Sequence, residues 1–394
     1  MPDLVRRWWP LAIVALAALW LRTHDLARRP MHADEANQAV KTGDLLESGH
    51  YAYDPHDHHG PTLYYAVLPI AWLRGESTLA GLGETTIRLV PAIFGTISVV
   101  LLGFLVAPAT RARQASRPAW TAIAAAAFLA VSPPSVYYSR YFVQETLLVT
   151  FTLATFLAAA QWWRSARIGW AITGGICAGL MQATKSSAPL FLILAVVAVL
   201  AARVYRPAAW ALWRHAGVAS VTAVLTLSVF YSSFGTNLSG LADAFASYAN
   251  AVERLGGETG HEKPWWYYLW MFGWFRTGGL VWHQLAFSAL ALAGFVVVFV
   301  GRARPARPGS ESPWDDAALR AIAVYTALVA AAFSMIAYKT PWHVVHLVPG
   351  LAVLAAAALA GISRLRTGIL VAIPFAAITL ATLFQQTRRA AFMR

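Results

Sequence analysis

The stretch LVPAIFGTISVVLLGFLV, residues 89–106, carries no charged residue and decides the fold. A run of this length approaches the ~20 apolar residues that cross a bilayer as a helix. Working outward, Trp9 to Leu21, Ala119 to Val131 and Leu285 to Val300 are also uncharged. Hydropathy and length together predict about eleven spans, centred near residues 15, 97, 128, 154, 176, 194, 225, 291, 329, 352 and 376. The expected fold is therefore all-α: a polytopic transmembrane helix bundle, one domain over 1–394. Composition agrees, with 58% hydrophobic and 12% charged residues against about 25% charged in an ordinary soluble domain. Many of the seventeen Trp lie near run ends, as in an interfacial aromatic belt.

The net charge of +13 does not indicate nucleic acid, because the basic residues sit in short loops between apolar runs and form no single patch. The lone cysteine, Cys177, excludes an intramolecular disulfide and a cysteine metal cluster. Arg6 and Arg7 before an apolar stretch look like a secretory signal, but no small-residue cleavage site precedes Arg22, so an uncleaved first helix is expected. With Arg6 and Arg7 in the cytoplasm, loops 108–118, 164–167, 203–215, 302–320 and 362–367 are cytoplasmic and hold fourteen Lys or Arg, against Arg140, Lys185 and Lys339 in the short opposite loops. That is the positive-inside pattern of a multi-pass inner (plasma) membrane protein. Arg388, Arg389 and Arg394 break it: either the last segment fails to cross or its tail is an exception.

Two long outer segments remain, 22–85 and 235–280, with a Pro/Arg/Ser-rich cytoplasmic linker at 302–320. Acidic residues follow the outer segments, nine in the first and four in the second. Helical spacing of Ala36, Ala39, Val40 and Leu46 predicts an interfacial helix over Asp34 to Glu47. Thr62 to Trp72 is apolar but too short to span, and reads as a second interfacial or re-entrant helix.

Asp34 and Glu35, at the start of the first interfacial helix, suit a general base or a metal ligand, with helix capping by Asp34 as the structural alternative. Asp54, His56, Asp57, His58 and His59 could hold Zn or Mn in part, or form a plain polar loop. Arg140 with Glu145, Lys185, and Lys339 with His343 stand in short outer turns, where lone charges are costly unless paired, hydrated or used. The topology puts these residues and Arg276 on one face, an arrangement suited to a substrate with a phosphate leaving group.

The quoted residues also carry a resemblance. His32-Ala33-Asp34-Glu35-Ala36, Glu47-Ser48-Gly49-His50-Tyr51 with Asp54-Pro55, and His59-Gly60-Pro61-Thr62-Leu63-Tyr64-Tyr65 resemble the first outer loop of the GT-C membrane glycosyltransferases. The likeness is closest to the dolichyl-phosphate-mannose-protein mannosyltransferase-like branch (glycosyltransferase family 39). Within it, the chain is similar to a prokaryotic subfamily described as flippase activity-associated, through Tyr138-Ser139-Arg140 with Glu145, Ala183-Thr184-Lys185 and Tyr338-Lys339-Thr340-Pro341-Trp342. Ala33 stands where Pro is common, and Ser186 where relatives often have Glu.

The resemblance implies inverting transfer of a sugar from a polyprenyl-phosphate donor to a lipid, glycan or protein acceptor on the non-cytoplasmic face. Asp34 is then the catalytic carboxylate, Glu35 its companion, and His59, Arg140, Lys185 and Lys339 the donor-phosphate residues. His58, His343 and Arg276 are further candidates. A divalent metal (Mn, Mg or Zn) is optional, with Asp34 and Glu145 as its ligands. The rival readings are a lipid-linked sugar flippase and a non-catalytic flippase-associated membrane protein. Ion-coupled transporters usually carry ionisable residues near the membrane midplane, and these spans are nearly free of them.

Overall fold

The computed structural model describes residues 3–56, 59–107, 119–203, 209–256, 260–277, 280–300, 313–363 and 367–392. The described residues form sixteen α-helices and one antiparallel hairpin. The long α1 (Asp3–Thr23) leads through a 3₁₀ turn (Leu26–Arg28) to α2 (Ala33–Ser48), α3 (Thr62–Leu73) and α4 (Glu84–Val106). Next come α5 (Trp120–Val131), the short α6 (Pro133–Tyr138), α7 (Glu145–Ser165), α8 (Ile168–Thr184), α9 (Ala188–Ala201) and α10 (Ala209–Tyr231). The remainder is α11 (Gly240–Gly256), α12 (Tyr267–Phe272), β1 (Trp274–Thr277), β2 (Leu280–His283), α13 (Leu285–Val300), α14 (Pro313–Met335), α15 (Val348–Ser363) and α16 (Gly368–Phe392).

Each of the eleven expected spans falls on a helix: α1, α4, α5, α7 to α10 and α13 to α16. Seven segments are long and apolar enough to cross a membrane unaided, including Glu84–Val106, Pro341–Ser363 and Gly368–Phe392. The chain is a multi-pass membrane protein. Both interfacial helices form where the apolar spacing placed them, as α2 and α3. The linker expected over 302–320 is shorter than its sequence suggested, since residues 313–320 are the first turns of α14. The described residues of the second outer segment hold α11, α12 and the start of the hairpin, whose register pairs Trp274 with His283 and Thr277 with Leu280.

α15 is the bundle's central helix. Ala355, Ala356 and Ala358 are at most 1% exposed, and a Cβ on Gly294 of α13 would collide with the Leu354 carbonyl of α15. Without a hydrophobic driving force in lipid, such close contact between small residues is what holds helices together. A second, aromatic core lies under α2 and α3, where Tyr51 packs on Tyr64 (5.1 Å) and Tyr53 edge-on to Tyr231 (4.8 Å), with Phe142 buried beside them. α16 returns to the end of the bundle that carries α2. Its Thr387 donates to the Val131 carbonyl, and its Phe392 lies under the Arg140 guanidinium at 4.6 Å.

Candidate active site

A single turn, residues 139–145, sets the geometry of the site. Ser132 precedes Pro133 and Pro134, which end α5 and leave α6 as a short offset helix; the chain then turns through 139–144 before α7 starts at Glu145. Three side chains of α2 are tied to this turn. Glu35 accepts the Phe142 N–H at 3.0 Å, Gln38 accepts from the Gln144 amide at 2.8 Å, and the His32 ring lies 5.5 Å from that of Tyr141.

Asp34 and Glu35 adopt opposite environments. The N-cap of α2 is His32: its Nδ1 accepts the Asp34 N–H (3.2 Å), while Glu35 reaches back to the His32 N–H (3.1 Å), a reciprocal capping box. Asp34 therefore does not cap the helix. Its carboxylate, 46% exposed, rests 3.3 Å from His32 Nδ1. Glu35 is 1% exposed and meets Arg88 in a bidentate pair, Oε1 to Nε at 2.8 Å and Oε2 to Nη2 at 2.9 Å. Arg88 also donates to the carbonyls of Leu26 (2.8 Å), Arg29 (2.9 Å) and Pro30 (3.3 Å), so one guanidinium gathers the α1–α2 connector around α2. The companion acid expected beside Asp34 thus turns inward and fixes the helix that presents it. Near Asp34, Arg29 stacks over Tyr137 at 4.3 Å, and burial with the charges of Glu35 and Asp34 pushes the Tyr141 hydroxyl pKa up.

A second group converges beside Glu145. The Glu145 carboxylate, 1% exposed, accepts from Lys185 Nζ, and His343 Nε2 lies 3.4 Å from that ammonium and 3.8 Å from the carboxylate. His343 Nδ1 is 3.3 Å from the Tyr268 hydroxyl, which donates to the Thr340 carbonyl (3.0 Å). These partners fix the tautomer: Lys185 can only donate, so Nε2 accepts and Nδ1 carries the proton. Burial pushes the Tyr268 phenol pKa up, which keeps it a donor. His59 joins through the backbone, where residues 59 and 185 form an antiparallel bridge and the Gly60 N–H donates to the Thr184 carbonyl at 3.0 Å. A Cβ on Gly60 would overlap the Ala183 carbonyl, so only glycine allows this approach. The Thr62 and Thr184 hydroxyls close the joint at 2.7 Å.

Other residues expected at the phosphate lie elsewhere. Arg140 is 2% exposed and gives its Nη atoms to the carbonyls of Leu21 (3.2 Å), Arg22 (3.3 Å), His24 (2.6 Å) and Asp25 (3.0 Å), capping the end of α1. Burial and the nearby Arg29 lower its pKa to about 10, so it stays cationic at neutral pH. Lys339, also 2% exposed, donates to the carbonyls of Ser334 (3.2 Å) and Ile336 at the end of α14. Both cations complete helix C-termini whose last carbonyls lack partners, which is why neither reaches the Lys185 group. Arg276 is exposed in β1. Among the described residues, no group of three or more His, Cys, Asp or Glu could hold a metal ion. Glu145, expected with Asp34 as a metal ligand, accepts from Lys185. Asp57 and His58 lie outside the described residues.

Sequence reasoning missed Arg88, Gln38, Gln144 and Tyr268. Arg88 left a signal, as a lone cation just before the uncharged run 89–106 and four residues after Glu84. The others are neutral, and nothing in their spacing marks them.

The described residues thus combine a helix bundle, a first loop of two helices, a half-exposed acid, and a buried Glu145 carboxylate engaged by Lys185 beside His343. The family model for dolichyl-phosphate-mannose-protein mannosyltransferase matches residues 37–236, half of the chain. The chain belongs to this family, and it is a glycosyltransferase. The matched range contains Gln38, His59, Glu145 and Lys185 and begins just beyond Asp34. Among solved structures, the chain is similar to ArnT of Cupriavidus metallidurans bound to undecaprenyl phosphate, with a TM-score of 0.65 at 16% identity over 97% of this chain and 75% of that one. It is also similar to the Archaeoglobus fulgidus oligosaccharyltransferase carrying a tethered acceptor peptide (TM-score 0.63, 15% identity, 99% of this chain and 56% of that one). A further similarity is to the same organism's AglB in complex with an inhibitory peptide and a dolichol-phosphate (0.62, 16%, 97% and 55%). The chain thus spans little more than half the length of the archaeal enzyme. No curated protein matches it.

Proposed function

We propose that this enzyme transfers a sugar from a polyprenyl-phosphate donor to an acceptor hydroxyl, with inversion, at the non-cytoplasmic face of the inner membrane. One observation carries the reading. At the end of the bundle where α2 presents a half-exposed Asp34, four separate segments bring Lys185, His343, His59 and Glu145 together. Asp34 takes the acceptor proton while the acceptor oxygen forms its bond to the anomeric carbon. The bond from that carbon to the phosphate oxygen breaks, and its electron pair leaves with the lipid phosphate. Lys185, balanced at rest by Glu145, stabilises the charge that develops there, with His59 and His343 beside it. The solved relatives are named for undecaprenyl phosphate and dolichol-phosphate, which supports the same class of donor here.

The test is sugar transfer from radiolabelled polyprenyl-phosphate sugars by purified protein in liposomes. General-base catalysis supplies about 10²- to 10⁴-fold, so Asp34→Asn should lose at least ~100-fold in turnover at an unchanged thermal midpoint. Undiminished transfer by Asp34→Asn would sink the assignment, and donor movement across the bilayer without transfer would make the protein a transporter.

A further inference from the structure

Away from this site, a cavity of about 330 Å³ opens between the ends of α1 and α16. Its polar lining is His24, Arg28 and Arg388, and its walls are aromatic, from Trp20, Phe384 and Phe392. The His24 ring stacks on Trp20 at 5.1 Å and lies 6.0 Å from Phe392. Phe392, in the cavity lining, also lies 4.6 Å from the Arg140 guanidinium, to which no carboxylate among the described residues is hydrogen-bonded. No described lining residue is acidic, and Arg28 of the lining meets Asp25 at 3.5 Å.

We infer that this cavity binds the phosphate headgroup of an anionic membrane phospholipid, held by Arg28 and Arg388, with its acyl chains running down the aromatic wall of α1 and α16. Three features point to a lipid and not to a soluble anion. The cavity lies where two membrane-spanning helices end, which is headgroup depth. Its cations stand above Trp20, Phe384 and Phe392, and Trp20 and Phe384 are exposed where the hydrocarbon would be. Arg388 also breaks the positive-inside pattern of the sequence. Such a charge is disfavoured at the translocated end unless it has work there, and the cavity supplies that work. A headgroup here would clamp α1 to α16 over Arg140, the residue that indexes the catalytic turn.

Native mass spectrometry of the full-length protein, released from nanodiscs of phosphatidylglycerol or of phosphatidylcholine, tests the assignment. Each basic residue near an anionic surface contributes roughly fivefold to binding, so Arg28→Gln with Arg388→Gln should weaken phosphatidylglycerol adducts by about 25-fold. Arg388→Lys should retain most of the binding. The melting temperature in lipid-free neutral detergent checks that the variants are folded, and bound phosphatidylglycerol should raise it for wild type and Arg388→Lys but not for the double variant. Equal adducts with both lipids, adducts indifferent to the double substitution, or loss of phosphatidylglycerol to millimolar inorganic phosphate would each overturn the proposal.

Discussion

The buried pair of Arg88 and Glu35 makes the sharpest test of how Asp34 is held. Both side chains are 1% exposed and joined by two short bonds, and Arg88 alone satisfies the carbonyls of Leu26, Arg29 and Pro30. Removing Arg88, which also pairs with Glu84 at 3.2 Å, leaves Glu35 as an uncompensated buried charge, which costs about 3–5 kcal/mol. Arg88→Met is expected to cost that much and to lower the melting temperature by roughly 6–10 °C at about 2 °C per kcal/mol. Arg88→Lys should recover only part, since an ammonium cannot make the forked contact. Replacing both, Glu35→Leu with Arg88→Met, removes the stranded charge, so the double variant should be more stable than Arg88→Met alone. Transfer should remain low in the double variant, because α2 loses the tie between Glu35 and the Phe142 N–H. The measurements are thermal unfolding in detergent and sugar transfer on the same preparations. A double variant no more stable than the single would refute the coupling. A Glu35→Gln variant with wild-type stability but no transfer would instead place Glu35 on the substrate.

Lys185→Met should strand the buried Glu145 carboxylate and cut turnover by about 10²- to 10³-fold, as loss of one charge-stabilising donor typically does; Lys185→Met with Glu145→Gln should restore the melting temperature but not turnover. Gly60→Ala should separate His59 from Lys185 by forcing a Cβ against the Ala183 carbonyl, raising the donor KM while circular dichroism still reports a folded bundle. Burial alone would raise the Glu76 pKa, but hydrogen bonds from the Thr86 hydroxyl, Arg74 and the Gly83 N–H outweigh it and hold the pKa below the usual carboxylate range. Its ionised form therefore stabilises the fold above the ordinary carboxylate pKa of about 4.3, and that stability is lost as the pH falls through the lower folded value. Glu76→Gln should accordingly melt lower than wild type at pH 7, with the gap closing in acid; a gap that widened in acid would reverse the sign. Arg140→Gln should destabilise the α1 end and lower turnover through displacement of the 139–145 turn, measurable as faster hydrogen exchange over residues 21–25.

How far the sequence reaches is clearest residue by residue. Uncharged runs such as 89–106 had to be buried or in lipid, and each of the eleven spans expected from hydropathy falls on one of the sixteen described helices. The short helix after Asp34 and the apolar helix after Thr62 were legible because their spacing is local. The role of an isolated charge was not. Arg140, Lys339 and Lys185 look alike in sequence, each a lone cation in a short turn. Two of them serve carbonyls at the ends of α1 and α14, whereas the third meets a carboxylate. Backbone acceptors have no sequence signature, so only the fold distinguishes a cation that completes a helix from one left for a ligand. The same holds for Glu35 beside Asp34: adjacent on a helix, they lie about 100° apart around its axis, and one faces Arg88 while the other faces out.

The cations that cap helices still matter electrostatically. Arg22 donates to the carbonyls of Ala18, Leu129 and Ala130 and to the Ser135 hydroxyl, and Arg140 to four carbonyls of the α1 end; among the described residues no carboxylate is hydrogen-bonded to either, and the Asp25 charge acts on Arg140 from a distance. Their Nη donors are used, while the Nε of each is buried without a partner among the described residues, and their charge is only partly offset by carbonyl dipoles. At an effective dielectric constant near 20, a unit charge acts on another ~10 Å away by about 1.7 kcal/mol, and buried charges are little screened by salt. Two buried cations therefore add a positive contribution to the potential at this end of the bundle, which Asp25, Asp34, Glu35 and Glu145 offset in part. Under the proposed mechanism this contribution would lower the energy of a phosphate charge developing beside Lys185. Arg22 and Arg140 close the helix ends that shape the site and, on that reading, add to the field in which the charge develops.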